Sequence, residues 1–140
     1  QEDRDPMLRH LFSFEGVNWW TLLGGLGLNF VLTMFISLGG AYLSTNPATE
    51  AFYGQFGAPL MIVAVFLLCG LAGFVTGKIA DENHVKHAFL ASLGAAVPFL
   101  IGGLLLFSPI QVMVAAVAVA GNMNGGMLSV PKPKYTRADR

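Results

Sequence analysis

The chain has 140 residues, 54% of them hydrophobic and 11% charged, with a mean hydropathy of +0.62, against roughly 45–50% and 25% for an average soluble domain. Eight Lys and Arg offset eight Asp and Glu, so there is no basic excess to hold a phosphate backbone, and nucleic acid is excluded as a partner. A single cysteine excludes a disulfide framework or a cysteine-based zinc site within the chain.

The elements follow in order. Residues 1–20 form a polar N-terminal segment in which Met7, Leu8, Leu11, Phe12 and Phe14 recur at near-helical spacing. This pattern predicts a short helix over residues 6–16 lying in the membrane interface, with a flexible tail as the alternative. Trp19 and Trp20 come next, as interface anchors at headgroup level. Apolar stretches then cover residues 21–44, 58–80, 88–107 and 110–130, each near the ~20 residues a helix needs to cross ~30 Å of hydrocarbon. Lipid leaves backbone groups no partners and the alternation of a barrel strand is missing, so the stretches are predicted as helices. The fold class is therefore all-α and integral to the membrane, a four-helix transmembrane domain over 21–130. The first stretch lies too far in, and lacks the cleavage site, for a signal peptide. Pro98 is expected to kink the third span near its centre, and Pro109 to sit in a sharp turn. Residues 131–140 form a basic tail.

Basic residues set the expected orientation. Arg4 and Arg9 precede the first span, Lys78 and Lys86 bracket the turn between the second and third, and Lys132, Lys134, Arg137 and Arg140 follow the fourth. The other two connections carry none. Both termini are thus expected on the cytoplasmic side, in a multi-pass protein of the bacterial cytoplasmic membrane.

The small residues repeat. Gly70, Gly73 and Gly77 stand at i, i+3, i+7 on the second span, and Ala118, Gly121 and Gly125 repeat that spacing on the fourth. A weaker echo links the first and third spans, so two duplicated helical hairpins about an axis along the membrane normal are one reading, and chance likeness of glycine-rich helices is the other. Either way these residues are candidate helix-packing positions, because small residues permit close backbone approach. Gly25, Asn29, Thr33 and Ser37 add a small and polar stripe on the first span, expected to face other helices.

Chemistry is sparse. No acid or base lies deep in a span, whereas ion-coupled transport ordinarily needs one, and Lys78 is placed to snorkel. Asn122 and Asn124 are read as interhelical bonding groups before substrate contacts. His84 and His87, three apart beside Asp81 and Glu82, make a surface metal site conceivable, but are expected to face solvent or headgroups. Cys69 reads as a small packing residue. No catalytic residue, bound cofactor or metal is assigned, and enzymatic activity in this chain alone is not expected.

The pattern across all four spans, carried by residues 69–78, the polar turn 81–87 and residues 121–126, resembles the small glycine-rich four-span bacterial membrane proteins of unassigned function. It is also similar to small accessory subunits at the periphery of respiratory and photosynthetic complexes, of the alternative complex III type. That resemblance implies a role in filling gaps and holding neighbours, with cofactors borne by other chains. The function expected is a non-catalytic accessory subunit of an energy-transducing complex, whose partners are the lipid bilayer and other integral membrane subunits. A small oligomeric channel lined by Asn29, Thr33 and Ser37, and a pigment- or quinone-binding protein using His87 or the Trp19–Trp20 edge, are the alternatives.

Overall fold

In a computed structural model of the chain the structure describes residues 14–131. The expected interfacial helix, up to Ser13, and the basic tail from Lys132 lie outside the described residues. Five helices follow one another: α1 (Trp19–Thr45), α2 (Glu50–Ile79), α3 (His84–Ala91), α4 (Leu93–Leu105) and α5 (Pro109–Ser129). The helices α3 and α4 together make the third span, so the chain is an all-α multi-pass membrane protein with four spans long and apolar enough to cross a bilayer. The end bearing Trp19, Ile79 and His84 is called the basic end below.

Local chemistry sets the helix ends. The Asn18 side chain accepts from the N–H groups of Trp20 and Thr21 and so caps α1, while Ser108 caps α5 by accepting from Gln111 N–H, with Pro109 preset at the first turn. The second helix begins at Glu50, two turns earlier than the apolar stretch at 58. Hydropathy misses these turns because Glu50 and Gln55 interrupt the pattern, yet Tyr53 folds against the bare backbone of Gly40 and Gly57 and packs the extension on α1. With 27 and 30 residues, α1 and α2 exceed the hydrocarbon thickness at ~1.5 Å per residue, so their ends project.

The third span is not broken at Pro98, where a kink was expected. The interruption of the third span falls at Ser92, and Pro98 sits inside α4. Proline cannot donate to the Gly94 carbonyl and its ring presses on the preceding turn. At the interruption, Ala95 N–H bonds the Ser92 carbonyl at 3.0 Å and the Ser92 hydroxyl bonds the Phe89 carbonyl at 2.5 Å.

Around the bundle the order is α1, α2, α5, then the third span, with α1 and α5 across the diagonal. The third span meets α2 only through α3, so the bundle is tightest at the basic end. Its interior is built mainly from small and polar residues, with Leu22, Val65, Leu90, Phe99 and Val114 among them, and its outer surface from Leu, Phe, Val, Ile and Met. That is the inverse of a water-soluble bundle, because lipid gives no hydrophobic drive to bury large side chains.

Candidate functional site

The small-residue positions converge on one seam. A Cβ on Gly73 would overlap the backbone of Asn122, one on Gly125 the backbone of Gly70 and Phe74, and one on Gly121 the Phe66 carbonyl. Gly77 likewise faces Ser129, and Ala118 is fully buried beside Cys69 and Val65. Residue numbers rise together on both helices, so α2 and α5 run parallel, backbone against backbone. Gly70 is the loosest position, with only the Gly121 carbonyl nearby at 3.5 Å from where its Cβ would stand. The two glycine faces meet with an axial slip: Gly73 opposes Asn122 rather than Gly121, and Gly125 opposes Gly70 rather than Gly77.

The polar stripe of α1 divides. Gly25 admits Thr76 of α2 and Ala91 of α3. Asn29 and Thr33 are buried, and Ser37 is exposed. At the centre, Asn122 donates to the Asn29 side-chain oxygen at 2.7 Å and to the Ala118 carbonyl at 2.9 Å. Asn29 in turn donates to the Gly25 carbonyl at 3.0 Å, and Thr33 to the Asn29 carbonyl at 2.8 Å. The asparagine pair therefore ties α1 to α5 across the diagonal. Asn124 is exposed and bonds only its own helix, at Ala120. Two buried oxygens of this region have no hydrogen-bond partner, the Asn122 amide oxygen and the Thr76 hydroxyl.

The basic end holds a feature that the sequence reading missed. His87, expected to face solvent or headgroups, is instead 1% exposed, and its neighbour Lys86 is 2% exposed. They stand on the face of α3 covered by residues 14–18, a segment the linear reading kept apart from the third span. Asn18 N–H donates to His87 Nε2 at 2.9 Å, so the ring hydrogen sits on Nδ1, 2.9 Å from the accepting Asn83 carbonyl. Lys86 donates to the Glu15 carbonyl, and the Asn83 amide to the Gly16 carbonyl at 3.1 Å. Gly16 and Asn83 both adopt left-handed backbone, and any Cβ on Gly16 would meet the Asn83 amide. His84 Nδ1 lies 2.6 Å from the Gly77 carbonyl and closes the last turn of α2. Three side chains of α3 and its cap thus clasp the segment ahead of α1. The signal available in the sequence was the spacing of Asn83, Lys86 and His87 on one helical face, but nothing there named its partner.

As a site for chemistry this arrangement offers little. Both ring nitrogens of His87 are engaged within the chain, and no group of three metal-ligating side chains occurs among the described residues. Trp19 and Trp20 are exposed at the basic end, with Trp19 against Phe14 at 5.3 Å. Lys78 is exposed too, its ammonium 5.8 Å from the Phe74 ring centre. Comparison with protein-family models, with curated proteins and with solved structures found no match for this chain.

Proposed function

We propose that the chain is a non-catalytic accessory subunit of a larger, energy-transducing membrane complex, quinol-oxidising or photosynthetic, that holds neighbouring integral membrane subunits by helix packing. The observation that carries this reading is a second class of glycine. Gly27 and Gly39 on α1 and Gly54 on α2 have no atom within 4 Å of where a Cβ would stand, so the bundle itself makes no use of them. Glycine inside a helix costs about 1 kcal/mol relative to alanine, and lipid contact returns nothing for it. A neighbour's helix does, through close approach. The stripe that a channel ring would need is taken up inside the chain at Asn29 and Thr33, leaving Ser37 alone outside.

The placement of all eight Lys and Arg at the termini and the α2–α3 turn supports a bacterial cytoplasmic membrane orientation with both termini cytoplasmic. The test is purification from native membranes in mild detergent, with a native gel, mass spectrometry and a visible spectrum of the same band. Migration within a large complex containing cofactor-bearing chains is expected. A small colourless band of this chain alone overturns the reading.

A further inference from the structure

Between α1 and α2 at the basic end lies a cleft of about 260 Å³. Its walls are Gly24, Gly25 and Leu28 of α1 and Val75 and Thr76 of α2, with Trp20 at its edge. The lining is apolar apart from two threonines, and one of these is anomalous. Inside a helix a hydroxyl ordinarily returns its hydrogen to the carbonyl one turn back. Thr33 does so to Asn29 at 2.8 Å, Thr45 to Ala41 at 2.9 Å and Ser129 to Gly126 at 2.6 Å. Thr76, 2% exposed, does not; its hydroxyl turns toward Gly25 and has no partner. Thr21, also lining the cleft, stands in the first turn of α1, where the carbonyl four residues back lies outside the helix.

An unmet O–H hydrogen in an apolar wall is costlier than an unmet lone pair and is rare in folded proteins. What meets it here must reach the cleft from the membrane and must bring an acceptor. As placed the hydroxyl is buried; a single χ1 step of Thr76 carries it to the place its methyl holds, moves the methyl to that of Hβ, and leaves the backbone in place. The volume is below the ~300–1,000 Å³ of sites that enclose a whole ligand, so the cleft takes a head and leaves a tail in lipid.

We infer that this cleft is a binding site for the carbonyl-bearing head of a membrane-dissolved amphiphile, which accepts a hydrogen bond from Thr76, assisted by Thr21. An isoprenoid quinone and a phospholipid ester share that chemistry. The inference stands apart from the subunit reading, since it concerns only the chain's own two helices.

The test uses the full chain in a maltoside detergent. The chain has two tryptophans, so Trp19→Phe leaves Trp20, at the cleft edge, as the sole fluorophore. Titration with decylbenzoquinone is expected to quench Trp20 saturably. Gly24→Leu, whose Cβ has no atom within 4 Å and whose side chain enters the cleft, is expected to leave only linear, collisional quenching. Thr76→Val is expected to weaken binding about tenfold, while its thermal midpoint without quinone stays level or rises. Relief of the quenching by an ester-linked but not an ether-linked phospholipid identifies the lipid ester as the occupant; indifference to both identifies the quinone head. Quenching that never saturates, or that Gly24→Leu leaves unchanged, overturns the site. A lower midpoint for Thr76→Val overturns it as well, because the hydroxyl would then serve the fold.

Discussion

At the basic end of the bundle, the side chains of Asn83, Lys86 and His87 bond backbone 67 to 71 residues away in sequence. At the opposite end, the Ser44, Thr45, Asn46 and Thr49 side chains all bond within six residues of themselves. There α4 ends at Leu105, and Leu106 and Phe107 follow, with Phe107 90% exposed and in left-handed backbone. Cohesion toward that end comes from apolar packing of Val65, Phe99 and Val114. The seam glycines Gly73, Gly77 and Gly125 belong to the basic half, and the bare Gly54 to the opposite half. One end is thus cross-linked through the fold, and the other is held locally. What differs is how far along the chain the polar side chains reach for their partners.

Substitutions that cross this divide test it. The largest effect is expected at the seam: Gly125→Leu must part α2 from α5 at a backbone contact, at about 3 kcal/mol or more. Denaturant titration of the detergent-solubilised chain measures it, and unaltered unfolding would contradict the backbone contact. Next comes Asn122→Ala, expected to lose about 2 kcal/mol because the Asn29 oxygen is left buried and unbonded. The double change Asn29→Leu with Asn122→Leu should recover part of that loss, since neither partner is then stranded. His87→Phe should cost about 1 kcal/mol, and its signature is local. Hydrogen exchange at Asn18 should accelerate while amides near Val65 stay protected. The smallest effect, within about 0.5 kcal/mol, is expected for Gly54→Leu and for Phe107→Ala at the opposite end. A loss there as large as at Gly125 would erase the distinction between the two halves.

The four spans were legible because a bilayer imposes a length and a composition that few other contexts share. The seam was legible too, since Gly70, Gly73 and Gly77 share one helical face with a counterpart in Ala118, Gly121 and Gly125. Its slip was not, because glycine periodicity sets a face and leaves the axial position free. The two extra turns of α2 were hidden by Glu50 and Gln55, which lower hydropathy without breaking a helix that extends beyond the hydrocarbon. His87 was misplaced for a related reason. Polar residues near a membrane surface read as solvated unless the segment that covers them is known, and here that segment lies some seventy residues away.

The clasp also carries a consequence for the order of assembly. Asn18 finds its acceptor only when His87 has been made, so the segment ahead of α1 has no long-range anchor while the first two spans enter the bilayer. Closing it requires the third span to be seated beside α1 in the same orientation that the first span already has. A chain inserted with its third span inverted leaves Gly16, Asn18 and Glu15 without their counterparts. The contact therefore forms late, and only in the correctly threaded protein.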